Sequence, residues 1–256
     1  MVRRLVAQPV PPRLLLVLLG SAFASNPVVL HTSVADPHIH IFDGTAYMYA
    51  GRDRDPDATS FVMPDWRVWS SKDLVTWTHE TTITPGQTYI GANTTVCFAV
   101  DVGFRRGAYH FYFSDGASSF GVMKATVPTL SDAHDVLGKA LADKASIGGR
   151  THPYDPTVLV EDDADQTAYI VFGRNTDPSA NPDPSFCTHC KYLIAELDDT
   201  MDGFAEDPKA IVFLPGPGGG TMPTSDKSTL HKYGTFRLNF HRFDHFELDL
   251  RGHAQP

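Results

Sequence analysis

Four aspartates head the same local pattern along this chain. Asp36 opens Asp36-Pro37-His38-Ile39-His40-Ile41-Phe42, an Asp43-Gly44 turn follows, and Tyr47 and Tyr49 alternate with Ala46, Met48 and Ala50. Asp101 opens a second copy that turns at Arg106-Gly107 and returns through Tyr109-His110-Phe111-Tyr112-Phe113. Asp155-Pro156-Thr157-Val158-Leu159-Val160 passes an acidic turn into Ala168-Tyr169-Ile170-Val171-Phe172, and Asp226 leads to Leu230-His231-Lys232-Tyr233 and Phe236. Each copy reads as a carboxylate at the lip of an antiparallel hairpin. Two carboxylates facing each other across a sugar-sized pocket are the equipment for glycoside hydrolysis. One protonates the leaving oxygen while the other activates a water or attacks the anomeric carbon. A third carboxylate nearby holds the acid protonated by like-charge repulsion.

For that chemistry the four copies must converge. They recur at roughly 50–70 residues, the spacing of the blades of a β-propeller, whose innermost strands line a central channel. Each aspartate then starts an innermost strand and faces one axial pocket. Asp36 and Asp155 precede prolines, which predicts an extended backbone for both. Asp-Pro also occurs at Asp55, Asp177, Asp183 and Asp207, where it reads as turn chemistry; Asp36 and Asp155 differ in leading a strand, a turn and an aromatic strand. Asp43-Gly44 is a strong hairpin signal. Trp66-Arg67-Val68-Trp69 reads as a strand. Residues 70–77 close the first blade, with Ser71 and Asp73 bonding the local backbone and Leu74 and Trp77 packing between blades. Trp66 has two readings, a sugar platform or a core residue, with the core favoured. Phe98 falls near the channel mouth, where it can stack on a sugar ring, and Asp101 joins it as a substrate contact. Residues 130–141 read as a polar connection with one helical turn. The glycine-rich stretch 215–220 is a flexible link, since no strand-to-helix setting and no Lys-Ser/Thr make it a phosphate loop. After Gly234 the rhythm fades, and residues 241–256 read as a polar tail.

Composition sets further bounds. Residues 1–24 carry Arg3, Arg4 and Arg13, the apolar run Leu14 to Leu19 and the end Ala22-Phe23-Ala24. That is the pattern of a cleaved secretory leader, too short in its apolar part to span a bilayer. Residues 25–240 form one all-β domain with a sizeable core. The formal net charge of -9 disfavours nucleic acid and acidic membrane surfaces as partners. Three cysteines make no disulfide framework. Cys187-Thr188-His189-Cys190 leaves open a local disulfide, half a zinc site or, the favoured reading, a loop without metal.

At Ala35-Asp36-Pro37, Asp43-Gly44, Ser71-Lys72-Asp73-Leu74 with Trp77, Phe98-Ala99-Val100-Asp101 and Tyr154-Asp155-Pro156-Thr157-Val158, the chain resembles glycoside hydrolase family 43. The resemblance implies a five-bladed propeller that hydrolyses arabinan, xylan and related side chains with inversion. It gives Asp36 the role of general base and Asp155 that of the auxiliary carboxylate that tunes the acid. Lys232 matches the family's lysine six residues after the acid, so the acid position falls on Asp226, where the family has glutamate. Phe98 and Val100 stand where the family has tryptophan and proline. The resemblance also implies a central metal ion in some members, often calcium, held by a late histidine; none of His241, His245 and His253 can be matched to it, and no cofactor is expected.

About three and a half blades are recognisable, which reads as a propeller lacking its final part. The expectation is therefore an exported, monomeric hydrolase of arabinose- or xylose-containing polysaccharide. The alternative is a catalytically inactive propeller that at most binds carbohydrate. Fructan and sialoside enzymes are a weaker third reading, because neither a Trp-x-Asn-Asp entry nor an arginine triad is present.

Overall fold

In the computed structural model, residues 29, 32–54, 61–174, 190–211, 228–233, 236–241 and 244–248 are described, the last two stretches and 231–233 by their backbone. Sixteen strands among them form four antiparallel sheets. The first sheet runs in order β1 (Ala35–Phe42), β2 (Thr45–Gly51), β3 (Trp66–Ser71) and β4 (Thr78–Ile83). The second comprises β5 (Cys97–Arg105), β6 (Ala108–Asp115), β7 (Ser119–Ala125) and β8 (His134–Asp135), with β9 (Ala142–Asp143) also paired to β7. The third holds β10 (Thr157–Val160), β11 (Ala168–Phe172), β12 (Leu193–Glu196) and β13 (Lys209–Ala210), and the fourth β14 (Thr229–Tyr233), β15 (Phe236–His241) and β16 (Asp244–Leu248). Consecutive, meandering sheets of this kind are propeller blades.

The hairpins follow from their turn residues. Asp43 and Gly44 have φ of 49° and 72°, and Arg106 and Gly107 have 48° and 81°. Positive φ at both central positions is the two-residue turn that matches strand twist, and it sets Phe42 opposite Thr45 and Arg105 opposite Ala108. The Ser71–Trp77 turn is built as the sequence suggests. The Asp73 carboxylate accepts the N–H groups of Thr76 at 2.7 Å and Val75 at 2.9 Å, and these bonds bring its pKa down to about 2.

Blades meet through apolar faces. Tyr49, Trp66 and Val68 of the first pack on Val100, Val102, Phe111 and Phe113 of the second. Tyr112, Phe120 and Val122 of the second pack on Val158, Ile170, Phe172 and Leu193 of the third. The second blade is sandwiched, so β5 and β6 are buried along nearly their whole length. Gly103 allows the close approach of the third blade: a Cβ there would lie 3.1 Å from Val158 and 3.3 Å from both Val160 and Met201. Arg105, also buried, reaches across the same junction to the carbonyls of Asp198 at 2.8 Å and Asp165 at 3.2 Å.

Several local expectations are corrected. Leu74 is 57% exposed, because the turn throws it outward with φ of 61°; only Trp77 packs, against the cluster of Met48, Ala50 and Trp69. Residues 130–141 contain turns and β8 but no helical turn, since Asp135 spends its carboxylate on the backbone N–H groups of Tyr89, Leu137 and Gly138. β4 extends the first blade beyond Trp77, and β16 lies inside the stretch read as a polar tail.

Gly103→Val is expected to lower stability by about 1–3 kcal/mol, the usual cost of overpacking a filled junction. A urea unfolding midpoint unchanged from wild type would show that the blades do not meet as closely as this.

Candidate active site at one end of the axial channel

The innermost strands β1, β5, β10 and β14 are tied together by a single buried carboxylate. Asp101 on β5 is 1% exposed. His38 Nδ1 lies 2.9 Å and His40 Nε2 2.6 Å from its Oδ1, which also accepts the N–H of Val102 at 2.8 Å. Its Oδ2 accepts the Thr157 hydroxyl at 3.0 Å and the N–H of Val158 at 2.8 Å. The Thr157 oxygen in turn accepts the N–H of Leu230 on β14 at 3.3 Å. Burial alone would raise the pKa of Asp101, but the charge and hydrogen bonds of His38 and His40 outweigh it and hold the group well below the ordinary range. Burial likewise works against a charged His40 ring, and the Asp101 charge and hydrogen bond reverse the balance and raise its pKa.

These contacts fix the level of each strand along the axis. His38, Asp101 and Thr157 share one layer. Two residues earlier in the chain lie Asp36, Ala99 and Asp155, the first near the start of β1 and the last just ahead of β10. The backbone marks the same positions. Register shifts fall between Ala35 and His38 and between Phe98 and Val100. Asp36 and Asp155 have φ of 49° and 51°. The extended backbone expected from the following prolines is therefore not adopted. A bulge re-aims the chain at Asp36, and aspartate is among the few residues that enter the left-handed region. Such conformations cluster at functional sites.

Ser114, fully buried on β6, completes the layer: its hydroxyl donates to the Ala99 carbonyl at 2.9 Å and accepts the Asp155 N–H at 3.0 Å. Asp155 is 6% exposed and Asp36 is exposed. Beyond this layer runs a cavity of about 560 Å³, walled by Pro37, His38, His40, Asp101, Thr157 and Leu230 among others.

The remaining predicted residues divide. Phe98 is half-buried one residue before Ala99, packed against the core cluster of the first two blades, with the ring of Phe61 edge-on at 6.0 Å. Trp66 is no sugar platform: it is fully buried, its faces packed near Phe111 and Phe113, and its indole N–H donates to the Phe98 carbonyl at 2.8 Å. Asp101 borders the cavity, but its oxygens are taken by five protein donors, so it organises the floor of the site instead of contacting substrate. Asp226, Cys187 and His253 lie outside the described residues. Cys190 is disulfide-bonded and Cys97 is free and buried.

Sequence reasoning missed His38, His40, Thr157 and Ser114. Two histidines at alternate positions of an innermost strand point to one face, and that spacing already asks for a buried anion between them. Among the described residues this histidine pair and Asp101 form the one cluster of three with converging metal-ligand atoms. It does not suit a calcium ion of the kind the resemblance implies, which takes six to eight oxygens. The single carboxylate is already saturated, and the other two ligands are imidazoles. His241 and His245 lie on β15 and β16.

The sequence profile described as "Glycosyl hydrolases family 43" matches residues 24–219. The chain belongs to glycosyl hydrolase family 43. An arabinoxylan arabinofuranohydrolase of Paenibacillus polymyxa is 30% identical over 189 residues, covering 62% of this chain and 29% of that protein. Xylosidase/arabinosidase 43A of Humicola insolens is 26% identical over 245 residues, covering 81% of this chain and 71% of that one. Among solved structures, a Bacillus subtilis family 43 arabinoxylan arabinofuranohydrolase in complex with cellotetraose matches with a TM-score of 0.65 at 22% identity, over 84% of this chain and 46% of that chain. A family 43 β-xylosidase/α-arabinofuranosidase from a compost metagenome, in complex with xylotriose, matches with a TM-score of 0.64 at 22% identity, over 85% and 72%. The chain thus spans less than half of the Paenibacillus and Bacillus proteins. Its fold is of the five-bladed propeller type of this family, with four sheets among the described residues.

Asp101→Asn is expected to destabilise the protein by about 3–5 kcal/mol, because it leaves buried partners of a charge unpaired. The His40 contribution is fully present below pH 6.5 and lost as pH rises through its raised pKa, whereas the Asp101 contribution is present above pH 3.8 and lost as pH falls through its lowered one. The difference between wild type and variant, measured by urea unfolding, is therefore largest between pH 3.8 and 6.5. Histidine ring NMR should show His40 titrating above 6.5 in the wild type and losing that upward shift in the variant. Ser114→Ala strands the Asp155 N–H and the Ala99 carbonyl, costing about 1–3 kcal/mol in the same assay.

Proposed function

We propose that this family 43 chain is an exported glycoside hydrolase that cleaves arabinose- or xylose-containing polysaccharides and oligosaccharides by a single inverting displacement. The observation that supports the reading is that Asp36 and Asp155 lie two residues before His38 and Thr157, which wall the axial cavity, and share an unusual backbone conformation. Neighbouring family members are named for arabinoxylan, xyloside and arabinofuranoside hydrolysis, and their structures hold cellotetraose or xylotriose. The basic-then-apolar leader at residues 1–24 supports export.

In this mechanism Asp36, exposed to solvent, takes a proton from a water that attacks the anomeric carbon. Asp226 gives its proton to the leaving glycosidic oxygen as the carbon–oxygen bond breaks, and the configuration inverts. Asp155, buried and held by Ser114, supplies a nearby negative charge that keeps the acid protonated until it is needed. The Asp101 layer acts below them by fixing the relative heights of the strands that carry Asp36 and Asp155.

A second reading, carbohydrate binding without turnover, is favoured by one feature. Asp226 is one methylene shorter than the glutamate of the family, and displacing a catalytic group by about 1 Å can cost on the order of 100-fold in rate.

Assays on nitrophenyl arabinofuranoside, nitrophenyl xyloside and dyed arabinan separate the two. Hydrolysis by the wild type that Asp36→Asn reduces by at least about 1,000-fold, with NMR showing an inverted product, supports the enzyme. Sugar binding with no release from any substrate supports the second reading. Asp226→Glu is expected to raise kcat if the short acid limits the rate.

A further inference from the structure

We propose that His110 is an acid-sensitive latch between the second and third blades, whose protonation loosens that junction and with it the clamp on Asp155. The latch rests on packing alone; its consequence for turnover rests on the hydrolase reading. His110 has no part in the chemistry proposed above. It is 3% exposed, and neither of its ring nitrogens has a hydrogen-bond partner among the described residues. Buried polar side chains are ordinarily paired. Leaving both nitrogens unpaired already costs stability with the ring neutral, and a positive charge in the same place costs far more.

The position of the ring makes that charge a matter for two blades. Side chains alternate along a strand, so His110 shares its face of β6 with Tyr112 and Ser114. Both reach the third blade. The Tyr112 hydroxyl donates to the Met201 carbonyl at 2.8 Å, and the Ser114 hydroxyl accepts the Asp155 N–H at 3.0 Å. Directly opposite His110 on β5 is Gly103, the residue against which Val158, Val160 and Met201 close in. An imidazolium there demands water. With the third blade packed this closely, water comes in by the blades parting.

The surroundings oppose protonation on balance. Burial is the largest influence, and Lys124 on β7, the cross-strand neighbour of His110, adds to it, as does Arg105 on β5. Asp202, between β12 and β13, and the Gly103 backbone pull the other way, without completing a hydrogen bond to either nitrogen. Asp101, two residues before Gly103, gives its charge to His38 and His40. Together these hold the pKa of His110 down at about 4. An unfolded chain takes up the same proton at 6.5, so the stability tied to the neutral ring is complete above pH 6.5 and is lost as pH falls toward 4. The raised pKa of His40 acts above 6.5 and the lowered one of Asp101 below 3.8, so neither enters this window.

The test compares the full wild-type chain with His110→Leu by urea unfolding across that window. From pH 6.5 to 4 the unfolding constant of the wild type is expected to rise on the order of 100-fold more than that of the variant. Protection of the Asp155 and Val158 amides against hydrogen exchange should fall with acid in the wild type and hold in the variant. Histidine ring NMR should show His110 titrating at about 4. Should His110→Leu fail to fold, Lys124→Gln decides: removing that charge raises the His110 midpoint, and an unchanged midpoint overturns the latch. Equal pH slopes in wild type and His110→Leu, or a His110 midpoint at 6.5, overturn it as well. None of these readouts depends on turnover, so a chain that cleaves no sugar overturns the hydrolase reading and leaves the latch standing.

Discussion

A carboxylate removed from water must be given back its hydrogen bonds, and around Asp101 that requirement draws three blades to one point. Its donors come from β1, β5 and β10, and Thr157 passes the connection on to β14. Apolar packing holds adjacent blades face to face but tolerates sliding. Directional bonds to a shared anion do not, so the layer of His38, Asp101 and Thr157 sets the height of every strand it touches. The carboxylates two residues away inherit that precision. This is the sense in which a group that meets no substrate can govern a site.

The carboxylate layer and the floor beneath it use opposite physics. Asp101 is fully paired, ionised and dry, which makes it inert. Asp36 is exposed, and Asp155 is sheltered with its backbone clamped by Ser114. Differences in environment of this kind are how a set of chemically identical side chains acquires different tasks. Asp36 and Asp155 share a positive φ, and at Asp36 it falls within the register shift that interrupts β1.

Much of this was legible in the sequence, because the signals were local. Asp43-Gly44 and Arg106-Gly107 announced their turns, and the aspartate-strand-turn-aromatic order announced the blades. The placement of Asp36 and Asp155 at strand starts followed from that order. What was not legible depended on contacts across blades. Whether Trp66 faces sugar or core is decided by β5 and β6, which lie more than thirty residues away in the chain. Asp101 looked like its counterparts at the heads of strands, and only the register shift at Ala99 reveals that it sits one layer deeper. The proline rule failed at Asp36, where a bulge outweighs the local steric preference, and at Asp155, which also takes a positive φ. β4 and β16 escaped notice because polar, outlying strands carry little of the alternation that marks a buried face.

The Asp101 cluster also bears on how the chain assembles. His38 and His40 leave the ribosome before Asp101, but Thr157 and Val158 emerge more than fifty residues after it. A nascent chain with two blades made therefore holds an anion whose second oxygen still needs solvent. Docking of the third blade is the event that dries it.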